Sequence, residues 1–187
     1  MLVDELERRN SSAVQVLIGS AMTVPANGLD PLAPLATHRI QRTLSLAANP
    51  FLNDHVIGGH AVLPTVCALE WMGNTAEQLY PGYQFFRAEN YRVLKGIVFD
   101  DTLAPAYVVE LKEVDKSVKG QIQLDVMISS RTPQGKPRFH YSVRLHLVDQ
   151  QPLPIIYANA DLSVTDGEPG APLYKNGTLF HGPSFQG

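Results

Sequence analysis

One histidine lies in a setting where its side chain could act as an acid or a base. His55 follows Asp54 in a turn-like stretch, and two glycines, Gly58 and Gly59, come shortly after it. Imidazole can take and give protons near neutral pH, so a histidine on an irregular loop is a candidate general base. Most histidines in such settings are ordinary turn residues, and this chain has six histidines. Local chemistry alone leaves both interpretations open.

A carboxylic acid follows at a spacing that could complete an acid/base pair. After Pro64, apolar residues recur at three- and four-residue spacings, which is typical of a helix. Proline is favourable in a first helical turn because its missing N–H would have no partner there. Glu70 lies in this stretch among Leu69, Trp71 and Met72. The sequence therefore predicts a histidine on a loop, a short strand and a mostly buried helix that carries one acid.

Composition and charge narrow the class of protein. The chain has 187 residues, 44% hydrophobic and 18% charged, which is typical of a globular domain. A net charge of −3 without a basic block predicts neither nucleic acid nor a membrane surface as partner. The single cysteine, Cys67, excludes an internal disulfide, and its position inside the predicted helix indicates core packing. A charged N-terminus and the lack of a long apolar run predict a cytoplasmic protein.

The elements that would position these residues are one helix and a series of strands. The helix is expected to end near Leu79, before a Pro-Gly pair. Runs rich in Val, Ile, Leu, Phe and Tyr predict strands at residues 39–46, 84–92, 94–99, 106–114, 120–129 and 138–148. Their alternation of apolar and polar side chains predicts an antiparallel sheet with one packed and one wet face. His140 and His146 are expected on the wet face.

Proline- and glycine-rich stretches divide the chain into three parts. Residues 1–36 are expected to form an N-terminal segment and linker, which could be the tail of a preceding domain, with a short helix at 2–9 and a strand at 14–18. Residues 37–150 would form the main domain. Residues 151–187 are expected to be a connecting segment.

The residues around His55 resemble a known family. His55, Gly59 and Pro64 fit the pattern H-x3-G-x4-P, and residues 50–54 (PFLND) fit the run that precedes the histidine in polyketide-synthase dehydratases. Asn49 stands where that run has a histidine that is not catalytic in the family. The last seven residues, HGPSFQG, resemble the signature that opens the second half of the family's domain, with His181 where tyrosine is common. Within the family, the sequence is most similar to the dehydratases of polyunsaturated-fatty-acid synthases.

The resemblance implies a fold and an activity. The fold would be α+β, a hotdog in which an antiparallel sheet wraps around one long central helix, here the first half of a double hotdog. The activity would be dehydration of 3-hydroxyacyl thioesters bound to acyl carrier protein, in polyketide or polyunsaturated fatty acid biosynthesis. No metal or nucleotide would be needed. The substrate would be carried on the phosphopantetheine of the carrier protein.

The resemblance also implies roles for residues. His55 would be the base, and Gly58, Gly59, Pro64 and Thr65 would lie along the bound substrate. Backbone at the glycines can approach a thioester carbonyl closely because no Cβ intervenes. The helix N-terminus near Thr65 would add a positive dipole.

The acid is the open question. In the double-hotdog family it is an aspartate of the second hotdog, so this chain would hold half of a complete site. Residues 64–72 also resemble a run in single-hotdog dehydratases, where the equivalent of Glu70 acts across a homodimer. The partner would then be either a second hotdog domain or a second copy. Alternatively, Glu70 is a buried acid satisfied by backbone N–H groups.

Two other functions fit the same fold. A hotdog that keeps the fold without the chemistry could serve as a structural or chain-holding element of a synthase, which the missing acid favours and the intact His55, Gly59 and Pro64 disfavour. A hotdog thioesterase would use a carboxylate to activate water. Glu70 permits this activity, but nothing in the sequence favours it.

Overall fold

A five-stranded antiparallel sheet is the frame of the fold. The structure, a computed structural model, describes residues 32–153, 171–175, 179 and 181–185. The strands are β1 (Thr37–Arg42), β2 (Val56–Ile57), β3 (His60–Ala61), β4 (Gln84–Val93), β5 (Tyr107–Asp115), β6 (Gln121–Arg131) and β7 (Pro137–Val148). The main sheet has the order β1-β5-β6-β7-β4, while β2 and β3 form a separate hairpin. The helix predicted at 2–9 and the strand predicted at 14–18 lie outside the described residues.

The alternation of side chains decides which face of the sheet is packed. In β6, Ile122, Leu124, Val126 and Ile128 are buried, and the residues between them are less so. Successive side chains of a strand point to opposite faces, so this pattern gives one apolar face. The predicted antiparallel sheet with one packed face is confirmed.

One α-helix, α1 (Thr65–Leu79), packs against the apolar face of the sheet. It ends where the sequence predicts, at Leu79. Its buried side chains recur at three- and four-residue spacings: Ala68, Trp71, Met72, Thr75 and Ala76. This spacing produces one apolar stripe. Val66 is exposed, so the helix is amphipathic rather than buried on all sides.

The prediction that His140 faces solvent is wrong. Ile128 pairs with Tyr141 while Ser129 pairs with Phe139, so His140 is an extra residue in β7. A bulge of this kind shifts the alternation by one residue, and both His140 and Tyr141 are buried. Nε2 of His140 lies 2.8 Å from the Ser130 hydroxyl, and its Nδ1 lies 3.0 Å from the Lys95 carbonyl. Burial lowers the pKa of His140, which favours the neutral ring.

Three further details differ from the sequence prediction. Residues 94–99 form no strand, and their pairing is limited to a bridge between Val62 and Val98. β1 ends at Arg42, four residues short of the predicted end. His146 lies on the polar face, but it is half-buried beside Glu89, 3.3 Å from the carboxylate. No helix among the described residues is both long and apolar enough to cross a membrane.

Candidate active site

His55 lies at the end of a short 3-10 helix, Pro50–Asp54. Proline at the start fixes the backbone in a turn, and Leu52 anchors the turn because its side chain is fully buried. The backbone N–H of His55 donates to the Leu52 carbonyl at 3.0 Å. His55 is 8% exposed, so it lies at the surface of the core with restricted access to water.

The hydrogen bond of the His55 ring defines its tautomer. Nδ1 lies 2.8 Å from the carbonyl oxygen of Val62. A carbonyl can only accept, so Nδ1 carries the proton and donates it. The backbone N–H of Val62 donates in return to the His55 carbonyl at 3.0 Å. A neutral ring in this tautomer has its lone pair on Nε2, which is the arrangement of a general base.

The Gly58-Gly59 pair forms the turn that brings Val62 back to His55. Both residues have positive φ, +61° and +86°, and they connect β2 to β3. Two-residue hairpin turns require this conformation, which glycine adopts without strain. Both glycines are exposed. Their structural role is therefore clear, and their contact with a substrate stays a prediction.

Residues 181–185, which belong to the predicted connecting segment and to the HGPSFQG motif, lie against His55. His181 pairs with His55 in an isolated antiparallel bridge. The N–H of Gly182 donates to the Asp54 carbonyl at 2.7 Å. The Asp54 carboxylate accepts from the N–H of Ser184 at 2.9 Å and from its hydroxyl at 2.5 Å. The two motifs that resemble the same family are thus joined in space.

Aromatic rings border His55 on this side. Its ring centroid lies 5.2 Å from that of His181 and 5.7 Å from that of Phe185. Phe185 also contacts Phe51, at 6.0 Å. The sequence indicates no role for either phenylalanine by itself. Their position inside the two motifs is the one signal that could have found them.

The start of α1 is fixed by a tyrosine from the sheet. Pro64 is buried, and Thr65 is exposed as the first helical residue. The hydroxyl of Tyr91 donates to the Thr65 carbonyl at 2.6 Å, and the Tyr91 ring stacks on Tyr141. A bulge in β4, with Asn90 at φ +54°, turns this part of the strand. No sequence pattern predicts a role for either tyrosine.

Comparison with known proteins gives the family. The family described as the polyketide synthase dehydratase domain matches residues 30–131, more than half of the chain. The chain belongs to this family. One subunit of the polyunsaturated fatty acid synthase of Thraustochytrium sp. (strain ATCC 26185 / S-3) is 28% identical over 181 residues. That match covers 95% of this chain and 6% of the relative, so the chain spans a small part of the curated protein that it matches.

One solved structure supports the assignment of the fold. A structure from work on dehydratase substrate selection for the borrelidin and fluvirucin polyketide synthases aligns with a TM-score of 0.51 and 18% identity, over 82% of this chain and 51% of that one. This alignment and the family membership together show that the domain has the hotdog fold. In this chain a helix of 15 residues packs on the sheet. The dehydratase domain from the CurF module of the curacin polyketide synthase aligns with a TM-score of 0.46 and 14% identity, over 74% and 46%.

Glu70 differs from its predicted surroundings. It is exposed on α1, while its neighbours Trp71 and Met72 point into the core. The alternative that Glu70 is buried among backbone N–H groups is wrong for the chain by itself. Its role as an acid across a homodimer stays a prediction. An apolar enclosure of this carboxyl would have to come from another chain or domain.

Cys67 is half-buried in the same helix. Burial raises the pKa of its thiol, and the charge of Glu70 raises it further. Both effects disfavour the thiolate, which is the nucleophilic form. The thiol lines a small crevice of about 30 Å³ together with Trp71 and Phe99. These features support the packing role predicted from the sequence.

Proposed function

We propose that this dehydratase domain acts on 3-hydroxyacyl thioesters carried by the phosphopantetheine of an acyl carrier protein, in polyketide or polyunsaturated fatty acid synthesis, with His55 as the base. Family membership supports the reaction class, and the relative's name supports the type of pathway. The observation that carries the role of His55 is its hydrogen bond from Nδ1 to Val62, which places the ring proton on Nδ1 and the lone pair on Nε2, the atom that would abstract the proton.

The reaction consists of one proton removal and one proton donation. Nε2 of His55 takes the α-proton of the acyl chain, and the electrons of the broken C–H bond form the new double bond. The 3-hydroxyl leaves as water after it receives a proton from an acid. The positive charge that develops on the His55 ring strengthens the bond from Nδ1 to the Val62 carbonyl, since hydrogen bonds from charged donors are stronger. The reaction needs no metal or nucleotide.

The thioester carbonyl would accept hydrogen bonds from backbone N–H groups. The first turn of α1, next to Thr65, has N–H groups without partners in the helix itself. Pro64 sets the direction of this turn, and the exposed Gly58-Gly59 turn lets a pantetheine arm pass close to the backbone. These four residues would line the path of the substrate.

The acid would come from outside this chain. Glu70 is exposed, so within one copy no apolar surroundings enclose its carboxyl. A second hotdog that follows in the synthase is the source that we favour, and Glu70 of a second copy is the alternative. Glu70→Gln distinguishes them, because the amide cannot donate the proton. We expect unchanged dehydration, while loss of activity in an intact dimer would establish Glu70 as the acid.

Substitution of His55 tests the proposal. In the synthase that contains this domain, we expect His55→Ala to lower dehydration of a 3-hydroxyacyl carrier-protein thioester by about a hundredfold or more. The matched control is His60→Ala, which removes an exposed histidine from the neighbouring hairpin. Mass spectrometry of the acyl group measures the loss of water. Equal turnover by wild type and His55→Ala would contradict the role of His55.

A second assay separates the base from the acid. Exchange of the α-proton of a 3-hydroxyacyl thioester with deuterated water requires a base and no proton donor to the hydroxyl. If this chain alone catalyses exchange but not dehydration, the base is present and the acid is supplied elsewhere. His55→Ala should abolish that exchange.

A further inference from the structure

Asp54, the residue directly before His55, is hydrogen-bonded to the segment 181–185 at three points. Its carbonyl accepts from the N–H of Gly182, and its carboxylate accepts from the N–H and hydroxyl of Ser184. We call this arrangement of Asp54 with residues 182–184 the Asp54 clasp. It joins parts of the chain that are 130 residues apart in sequence.

The Asp54 clasp leaves no room for a side chain at position 182. A Cβ on Gly182 would overlap the Asp54 carboxylate. The absence of a side chain at Gly182 therefore permits the close approach of the two segments. Two hydrogen bonds from Ser184 hold the pKa of Asp54 below its usual range. The bond from the hydroxyl has the larger effect, and the bond from the N–H has the smaller one. The charged carboxylate, which accepts the strongest hydrogen bonds, is thus the form that the clasp holds.

The clasp determines what borders the catalytic ring. Ser184 and Gly182 lie between His181 and Phe185, and both of these rings contact His55. The bond from Nδ1 to Val62 fixes one atom of the His55 ring but still permits the ring to tilt about that bond. Ring contacts on the side of the clasp restrict this tilt.

We propose that Asp54 and Ser184 are positioning residues of the dehydratase site, which hold His181 and Phe185 against His55 and so fix the direction of its Nε2 lone pair. This inference rests on the proposed role of His55 as the base. It adds residues 181–185 to the site through their contacts with Asp54 and His55, without requiring that they touch the substrate. The effect is on geometry, and small errors in geometry at a reacting centre reduce rates strongly.

The test compares four variants in the intact synthase. Asp54→Ala removes both side-chain bonds, Ser184→Ala removes one, and Ser184→Thr retains a hydroxyl donor. The matched control is Asp100→Ala, because the Asp100 carboxylate accepts from the N–H and hydroxyl of Thr102 at 2.8 and 2.7 Å within a local turn. We expect kcat to fall about tenfold for Asp54→Ala and less for Ser184→Ala, with KM little changed. Ser184→Thr and Asp100→Ala should retain wild-type kcat.

A structural readout on this chain accompanies the kinetics. NMR cross-relaxation between the rings of His55 and Phe185 should be present in wild type and in Asp100→Ala, and lost in Asp54→Ala. Wild-type kcat in Asp54→Ala would overturn the proposal, and so would a fall in kcat with the ring contact intact.

His55→Ala, measured in parallel, separates this proposal from the proposed function. If His55→Ala is inactive and Asp54→Ala is fully active, only the clasp proposal fails. If His55→Ala is also fully active, the proposed function fails as well.

Discussion

Asp54 and Glu113 each accept several hydrogen bonds, but they differ in burial and in what they join. Asp54 is at the surface and binds residues 182–184 beside His55. Glu113 is 3% exposed, at the inner face of β5. Its carboxylate accepts from the Ala36 N–H at 2.8 Å, from the Tyr80 hydroxyl at 2.9 Å and from the Lys116 ammonium at 2.9 Å.

The two carboxylates therefore have different consequences when they are removed. Glu113 ties the end of α1, through Tyr80, to the residues that precede β1 and to the buried charge of Lys116. Loss of Glu113 would leave an ammonium group uncompensated inside the fold, which is costly. Loss of Asp54 leaves its partners at the surface, where water can replace it. We infer that the Glu113 network maintains the fold, while the Asp54 clasp maintains the site.

The largest expected effect is the loss of stability in Glu113→Ala. Removal of one partner of a buried ion pair costs about 3–5 kcal/mol. The control is Glu110→Ala, since Glu110 pairs with Arg39 at the surface, and exposed pairs contribute about 0–1 kcal/mol. Urea denaturation measures the free energy of unfolding of both variants. Similar losses would show that burial of the Glu113 network does not determine its contribution.

The dependence of stability on pH is the next largest effect. Burial raises the pKa of Glu113, but the bonds from Lys116, Ala36 and Tyr80 together bring it below the ordinary value of 4.5. A carboxyl with a lowered pKa stabilises the fold above its unfolded-state pKa, and this contribution is lost as pH falls through the folded-state value. We therefore expect the free energy of unfolding to fall below about pH 4.5, more steeply in wild type than in Glu113→Gln. Equal slopes in a series of urea titrations would contradict this assignment.

Local spacing explains why part of this structure could be predicted. The pattern of His55, Gly59 and Pro64, the apolar stripe of α1 and the alternation in β6 all lie within short stretches. Each reflects a period or a turn whose partner is a few residues away. The resemblance of the motifs correctly predicts the hotdog fold and the dehydratase family, while the role of His55 as base remains a proposal.

Features that depend on distant partners could not be predicted. From the alternation in β7 alone, His140 is predicted on the wet face. The bulge opposite Ile128 and Ser129, which buries His140, leaves no signal in the sequence. Lys116 lies between the strands predicted at 106–114 and 120–129, where nothing in the sequence predicts burial, yet it is buried against Glu113. The contact of residues 181–185 with Asp54 joins segments that are 130 residues apart in sequence, and no local pattern encodes it.

The smallest expected effect on stability, with a distinct effect on activity, is that of Gly182→Ala. The new methyl group would overlap the Asp54 side chain, so either this side chain must leave its bonds with Ser184 or the segment 181–185 must move away from His55. The segment is at the surface, and its displacement leaves the helix, the sheet and the Glu113 network intact. We expect kcat to fall about tenfold while the denaturation midpoint stays near that of wild type.

Gly96→Ala is the control for this last variant. A Cβ at Gly96 would meet nothing within 4 Å, so both kcat and the midpoint should remain at wild-type values. A large loss of stability in Gly182→Ala would show that the surface segment is part of the framework, and the distinction between the two carboxylates would then not hold. Unchanged kcat would instead show that the dehydratase tolerates displacement of the rings beside His55.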